Sequence, residues 1–239
     1  MLRSLLDPLL SVVYPQRCHV CGGTVGSARD GVACRVCWQS TRLFTSSDPL
    51  CRRCGAVLNE NRDTCPNCLD ASFDSAIAVG VYERALAANI VHLKKVPHLP
   101  GRIAACLGER LAEIGVDGDA VILPVPLSKR RLVERGFNQA EIVAQVAARV
   151  TAFPVVSNCL IRETHTPMHR MAMDKKARDL TVRAAFKIRA PRLIAGRSIV
   201  LIDDVLTSGS TASACARELK KNGAASVTVV TLARAVMYK

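Results

Sequence analysis

SIVLIDDVLTSGSTASAC, residues 198–215, combines three local patterns in a fixed order. Residues 198–202 form a short, mostly β-branched apolar run, which is typical of a buried parallel strand. Asp203 and Asp204 follow at the predicted carboxyl end of that strand. A loop of small residues then leads into an Ala-rich segment that predicts a helix. This order predicts a strand–loop–helix unit within an α/β protein that has a parallel sheet.

The loop after the aspartates has the composition of a phosphate site. Glycine lets the main chain come close to a ligand, and hydroxyls and helix-start amides donate hydrogen bonds to an anion. The loop residues are Thr207, Ser208, Gly209, Ser210 and Thr211. Carboxylates repel phosphate, so Asp203 and Asp204 suit sugar hydroxyls or a shared metal ion. Together the two halves favour a phosphorylated ribose.

Other interpretations of this stretch stay open. An Asp-Asp pair after a strand also occurs in phospho-acceptor receiver domains, and small-residue loops can simply join a strand to a helix. A P-loop is excluded, because no lysine follows the glycine loop as that motif requires.

Length and charge bound the remaining possibilities. The chain has 239 residues, enough for one or two domains, with 49% apolar and 4% aromatic residues, which suits an α/β protein. The formal net charge is +13, or about +9 if eight cysteines bind two Zn²⁺ as thiolates. Residues 71–239 hold 25 Lys/Arg against 14 Asp/Glu. The excess predicts a phosphorylated ligand or nucleic acid, with a generally basic surface as the alternative.

Four Cys-x-x-Cys pairs lie within residues 18–68, separated by 12, 13 and 10 residues. Two such pairs complete a tetrahedral zinc site, and four thiolates leave no open position for catalysis. We expect two structural zinc sites formed by consecutive pairs, with a cross-braced pairing and disulfides as alternatives. His19 is expected to be exposed rather than a ligand. The predicted ligands are Cys18, Cys21, Cys34 and Cys37, then Cys51, Cys54, Cys65 and Cys68.

The N-terminal segment predicts an amphipathic helix over residues 1–17 that packs on its own protein. It superficially resembles a signal peptide, but Asp7 and Pro8 interrupt the apolar run and no cleavage site follows. No segment reaches the roughly 18 apolar residues of a membrane span. We therefore expect no span and a cytoplasmic protein, in which cysteines stay reduced and available to metal.

Beyond residue 70 the apolar patterns alternate between strand and helix. Ser128, Lys129, Arg130 and Arg131 are predicted to form a cationic loop after the second strand, able to hold a diphosphate, with a solvated loop as the alternative. Residues 164–178 show no regular spacing of apolar residues, which predicts a mobile lid. The predicted strands are 75–82, 120–125, 155–162, 185–188, 198–202 and 225–233, and the predicted helices are 83–93, 102–114, 136–150 and 210–222.

Several blocks together closely resemble the ComF family: PVPLSKRRLVERGFNQA, AAF, VLIDDVLTSGSTASAC and a terminal LARA, behind a cysteine-knuckle segment. The acidic pair with TSGST looks like the phosphoribosyl diphosphate (PRPP) motif of type I phosphoribosyltransferases. The resemblance covers nearly the whole chain. It implies a parallel-sheet α/β type I phosphoribosyltransferase fold preceded by a double zinc ribbon. The implied division is an N-terminal helix (1–17), a double zinc ribbon (18–70) and a phosphoribosyltransferase-like domain (71–239).

The resemblance also implies roles for individual residues. Asp203 and Asp204 would contact the ribose hydroxyls, and residues 207–211 would hold the 5′-phosphate. Lys94 falls where the family tends to carry a lysine, and His169 stands where we would expect Gln. Residues near 164–178 would form the catalytic loop. The implied diphosphate and loop contacts are Leu127, Ser128, Lys129, Arg130, Lys175 and Arg178.

The resemblance implies a phosphoribosyltransferase that binds PRPP with Mg²⁺ and acts in natural competence. The acceptor is left open by the sequence. One alternative is a module that handles single-stranded DNA, although only nine aromatic residues are present for stacking and for the core. Another is PRPP sensing without turnover. The zinc segment is nearly neutral, which favours a protein partner for it over DNA.

Overall fold

The computed structural model describes residues 16–58, 65, 68–113, 118–163 and 185–235. At its centre lies a parallel sheet of four strands: β1 (Ser75–Val81), β2 (Val121–Pro124), β5 (Ser198–Leu206) and β6 (Ser226–Arg234). Their spatial order is β1-β6-β5-β2. A separate antiparallel pair joins β3 (Leu160–Arg162) to β4 (Phe186–Ile188). The sheet confirms the predicted parallel α/β fold.

Helices cover both faces of the sheet, which is why β5 is an almost continuous apolar run. The helices α2 (Arg84–Leu93), α3 (Gly101–Ala112) and α5 (Gln139–Thr151) pack on one face, and α6 (Ser210–Lys221) packs on the other. The short helices are α1 (Arg35–Gln39) and α4 (Lys129–Arg135). None of the helices in the described ranges is long and apolar enough to span a membrane.

Two local predictions need correction, and two others are not tested. The predicted strand 155–162 is wrong: Val155 makes a single parallel bridge to Ile122, and only Leu160–Arg162 forms a strand. The predicted cationic loop is mostly the helix α4. It begins there because the Ser128 hydroxyl caps it by accepting the Arg131 amide, and it ends because Gly136 adopts a left-handed conformation. The predicted N-terminal helix and the predicted lid lie outside the described residues.

The cysteine-rich segment packs against the sheet rather than standing apart from it. Its first half shares an apolar core with α2 and α3, and its second half shares one with α6. Between the halves, the chain runs antiparallel along the free edge of β1, where the Phe44 amide donates to the Val79 carbonyl at 2.9 Å. A Cβ at Gly80 would lie 2.5 Å from the Arg42 carbonyl oxygen, so this approach requires glycine. The edge of β1 is thereby covered. The predicted division at residue 70 stays a prediction.

Candidate functional site

The site begins where β2 stops short of its neighbour. Pro124 is the last residue of β2 and pairs with Ile202, and the Val125 amide donates to the Ile202 carbonyl at 2.8 Å. Beyond that point β5 continues to Leu206, and β6 is the one strand that pairs with it there in the described part of the chain. Asp203 and Asp204 therefore lie inside the strand, not after it, as the apolar run had suggested. Because β2 is shorter, the part of β5 that carries the aspartates lies beyond its pairing with β2, at the carboxyl edge where ligands of open α/β folds bind.

The two aspartates have different surroundings. Asp203 is half-buried and its Oδ1 accepts the Asp204 amide at 2.8 Å. Burial and the neighbouring Asp204 carboxylate raise the pKa of Asp203 well above its ordinary value. Asp204 is buried, and its Oδ2 lies 3.0 Å from the Lys94 Nζ in an ion pair whose angles do not make a hydrogen bond. Among the described residues, this buried oxygen accepts no hydrogen bond, and the Lys94 ammonium is its charged partner.

The loop after β5 exposes backbone donors. Gly209 has φ of 79°, and the first bond of α6 runs from the Ser213 amide to the Gly209 carbonyl at 2.8 Å. Within the described ranges, the Ser210 amide donates to the Ser208 hydroxyl oxygen at 3.4 Å, whereas the amides of the other loop and first-turn residues donate to no group: Thr207, Ser208, Gly209, Thr211 and Ala212. The Arg234 guanidinium donates to the carbonyls of Leu206 and Thr207 and so fixes the base of the loop. An anion at the start of α6 would meet several free N–H groups.

The other predicted ligand residues lie at the same edge to differing extents. Lys94 caps the end of α2 and reaches Asp204. Leu127 is half-buried and Ser128 is buried, just beyond the end of β2. Lys129 and Arg130 are exposed on α4, with Arg130 Nε 2.7 Å from Glu134 Oε1, and the structure gives them no contact with the aspartates. Lys175 and Arg178 lie outside the described residues.

One cation near the aspartates was not singled out by sequence. Arg162, at the end of β3, is half-buried and holds its guanidinium carbon 5.4 Å from the Phe186 ring centroid. Burial and the nearby Arg131 lower the pKa of Arg162, while Cys215 and Asp203 oppose that shift. The sequence offered no signal beyond a basic stretch, because β3 and β5 are brought together only by the fold.

The eight cysteines form two clusters by consecutive pairs. The first cysteine cluster has sulfur atoms 3.6 and 3.7 Å apart, and the second has separations of 3.4 and 3.6 Å. Four sulfurs at about 2.3 Å from one zinc would lie about 3.8 Å apart in a tetrahedron, whereas a disulfide needs about 2.05 Å. The geometry therefore fits zinc, and the cross-braced and disulfide alternatives are wrong. The first cluster is Cys18, Cys21, Cys34 and Cys37, and the second is Cys51, Cys54, Cys65 and Cys68.

One thiol in each cluster is held ready as a thiolate. Burial tends to raise the pKa of Cys18, but hydrogen bonds from backbone amides outweigh it and lower the pKa to about 6. The amide of Cys34 lies 3.3 Å from that sulfur. The same balance lowers the pKa of Cys51 to about 7, with the Cys65 amide at 3.3 Å. Amide donors around a thiolate prepare it for a cation. His19 is exposed and belongs to neither cluster.

Comparison with known proteins gives two family matches, a double zinc ribbon domain over residues 9–69 and a phosphoribosyl transferase domain over residues 134–237. Competence protein F of Haemophilus influenzae is 30% identical over 234 residues, 92% of this chain and 97% of that protein. DNA utilization protein YhgH of Escherichia coli K12 is 29% identical over 233 residues, 93% of this chain and 99% of that protein.

Among solved structures, the Bacillus subtilis glutamine PRPP amidotransferase complexed with ADP and GMP matches 56% of this chain and 28% of its own, at 21% identity. The TM-score of 0.36 is too low to support an argument. The relatives match over nearly the full length of this chain, and both domain families are found in it. This chain therefore belongs to the ComF family, in which a double zinc ribbon precedes a phosphoribosyltransferase-like domain.

Proposed function

We propose that this ComF protein binds PRPP with Mg²⁺ at the carboxyl edge of β5 and transfers its phosphoribosyl group to an acceptor. The observation that carries the proposal is the set of amides at Ser208, Gly209, Thr211 and Ala212 that donate to no other described group, in the loop that follows the strand of the two aspartates. The loop amides favour an anionic group, and the carboxylates favour hydroxyl groups. A ribose 5-phosphate carries both kinds of group. The acceptor is left open, because no contact in the described residues selects one.

Each part of PRPP has a partner in the proposal. The loop from Thr207 to Thr211 holds the 5′-phosphate. Asp203 and Asp204 accept hydrogen bonds from the ribose hydroxyls and thereby orient C1′. Residues 127–130, at the end of the neighbouring strand, hold the diphosphate with backbone amides and cationic side chains. Lys94, already beside Asp204, adds positive charge where the diphosphate leaves.

The reaction exchanges one bond at C1′ for another. The bond from C1′ to the diphosphate oxygen breaks, a bond to the acceptor nucleophile forms, and the acceptor loses a proton. The carboxylate oxygens of Asp203 and Asp204 suit a hard cation, and bound Mg²⁺ would neutralise charge on the leaving diphosphate. Positioning and fixed charge, rather than acid–base exchange by the aspartates, are the contributions of the chain.

Calorimetric titration of PRPP in the presence and absence of Mg²⁺ tests the binding step. The paired change Asp203→Ala with Asp204→Ala should weaken PRPP at least 100-fold while leaving zinc content and helix content unchanged. A matched control is Asp119→Ala, whose side chain is 91% exposed and forms an ion pair with Arg197 at 3.5 Å. Normal PRPP affinity in the paired variant would rule the proposal out.

Turnover requires a separate measurement. Release of diphosphate from PRPP should be followed with a panel of bases, amines and single-stranded DNA as acceptors. Binding of PRPP without release for any acceptor would leave a sensor that uses the same site. Release that depends on one acceptor class would identify the substrate and exclude the sensor.

A second candidate function is the handling of single-stranded DNA. It is suggested by the names of the relatives, Competence protein F and DNA utilization protein, and by α4, which has no buried residue and carries Lys129 and Arg130 at its start. Affinity for an oligonucleotide should then fall steeply with salt, and the paired change Lys129→Ala with Arg130→Ala should reduce the logarithmic salt slope by about 1.4. An unchanged slope would remove α4 from the DNA surface.

A further inference from the structure

The turn that leaves the second cysteine cluster leads directly to the phosphate loop. The Ala71 amide donates to the Cys68 carbonyl at 3.0 Å, which ties the turn to a cluster residue. The next residue, Ser72, donates its amide to the Ser213 hydroxyl oxygen at 2.8 Å. Thus two successive contacts connect a zinc ligand with the first turn of α6.

Ser213 serves both partners at once. Its hydroxyl oxygen accepts the bond from Ser72, while its own amide donates to the Gly209 carbonyl at 2.8 Å. Gly209 is the residue that turns the phosphate loop into the helix, with φ of 79°. A displacement of Ser72 would therefore move Ser213 and, with it, the Gly209 carbonyl at the end of the loop.

Phe73 supplies a second, apolar connection. Its side chain is 2% exposed, and a Cβ placed on Gly209 would lie 3.5 Å from its Cε1. Phe73 belongs to the same apolar cluster as all four cysteines of the second cluster and as Leu206 and Ala212, on either side of the loop. Packed interiors transmit displacement because they have little free volume.

We propose that Phe73 and Ser213 are positioning residues through which the second cysteine cluster, once it holds zinc, fixes the phosphate loop. Occupancy of that cluster and binding of a phosphate ester are then thermodynamically coupled. The inference rests on the proposed function, because it takes the loop as the 5′-phosphate site. Coupling is reciprocal, so a ligand in the loop must also tighten the zinc cluster. The first cluster makes no such contact among the described residues, since it packs on the opposite face.

Pulsed alkylation with mass spectrometry measures this coupling cysteine by cysteine. The zinc-loaded full chain is treated with a thiol-alkylating reagent and a chelator, with and without saturating ribose 5-phosphate. We expect the ligand to slow alkylation of Cys51, Cys54, Cys65 and Cys68 at least 5-fold, the lower end of ordinary allosteric coupling. The four cysteines of the first cluster should change less than twofold.

Two changes at one position separate positioning from simple packing. Ser213→Ala removes the acceptor for Ser72 and should reduce the protection to less than half of its wild-type factor, at equal saturation with ligand. Ser213→Thr keeps the hydroxyl and should restore it. Equal protection of both clusters would indicate general stabilisation and overturn the proposal.

Calorimetry with ribose 5-phosphate makes the possible failures distinguishable. Binding without protection of the second cluster would overturn the coupling and leave the proposed function standing. Absence of binding by both ribose 5-phosphate and PRPP would overturn the proposed function and the coupling with it. Binding with selective protection that Ser213→Ala diminishes would support both.

Discussion

Replacing Asp203 by asparagine should make the protein more stable while weakening its ligand. Asp203 stands next to a second carboxylate in a half-buried position, and both features disfavour its charged form. Asparagine keeps an oxygen that can accept the Asp204 amide, the bond seen at 2.8 Å. The change therefore removes one charge and its repulsion from Asp204 without leaving that amide unpaired. Residues at binding sites often destabilise the folded protein, so a neutral substitution there commonly raises stability and weakens function.

The size of the gain follows from the charge pair. Two like charges about 4 Å apart repel by about 1 kcal/mol in water and by about 4 kcal/mol near a protein surface. Lys94, 3.0 Å from Asp204, already offsets part of the repulsion. We therefore expect Asp203→Asn to raise the free energy of unfolding by about 1 to 2 kcal/mol at pH 7.5. For a chain of this size, each kcal/mol corresponds to about 2 to 4 °C in melting temperature.

The pH dependence gives the sharper measurement. The folded-state pKa of Asp203 lies above its unfolded value, near 3.9. Below that value the carboxyl is protonated in both the folded and the unfolded state, so its charge makes no difference to the free energy of unfolding. As pH rises from there through the raised pKa, the wild type loses stability and the variant does not. Denaturant unfolding at fixed zinc should show the difference growing as pH rises above the unfolded value, until Asp203 is ionised in the folded protein. Comparing the two proteins at each pH cancels the pH dependence of zinc binding.

An exposed carboxylate away from the site, Asp119, provides the control. Asp119→Asn removes an exposed carboxylate and should shift the curve by less than 0.5 kcal/mol at any pH. A variant Asp203→Asn that is less stable than wild type at pH 7.5, or a difference that does not change with pH, would refute the electrostatic reasoning. PRPP affinity should meanwhile fall at least 10-fold, because an amide accepts ribose hydroxyls more weakly than a carboxylate.

Three further outcomes test other parts of the structure. Lys94→Ala leaves Asp204 without its ion pair and should weaken PRPP at least 10-fold in calorimetry, whereas the exposed Lys95→Ala should stay within twofold. Asn89→Ala removes two buried side-chain hydrogen bonds that join α2 to the first cluster region and a third within α2, and denaturant unfolding should show a loss of about 2 to 4 kcal/mol. Zinc chelation should shift the emission of Trp38, the single tryptophan, to longer wavelength, because it is buried beside the first cluster; an unchanged spectrum after full zinc removal would contradict that packing.

Features encoded by neighbouring residues could be predicted from sequence. The strand, loop and helix around residues 198–215 follow from an apolar run, one glycine and an Ala-rich segment that are contiguous. The presence of two four-cysteine sites follows from the four short spacings, since each pair already forms one side of a tetrahedron, whereas the consecutive rather than cross-braced pairing comes from the structure. In both cases the chain brings the chemistry together within about 20 residues, so little depends on tertiary packing.

What could not be predicted depends on contacts between distant residues. β5 runs past Ile202 because β6 stays beside it, although Asp203 and Asp204 interrupt its apolar pattern. The Ser72 amide meets a hydroxyl 141 residues away, and neither serine is unusual in its local sequence. α4 was predicted as a loop because a helix without any buried residue has no apolar periodicity to reveal it.

The two cysteine clusters lie on opposite faces of one sheet, and the segments around them pack on different elements that border the candidate site. Next to the first cluster, the Val32 amide donates to Asn89 on α2, and the same helix ends at Lys94 beside Asp204. The second cluster supports the phosphate loop through Phe73 and Ser213. A sheet of four strands offers few contacts to hold a loop and a lysine at its open edge. Metal-stabilised segments on both faces supply those contacts, which gives a physical reason for a double zinc ribbon to accompany this site rather than to act as a separate binding module.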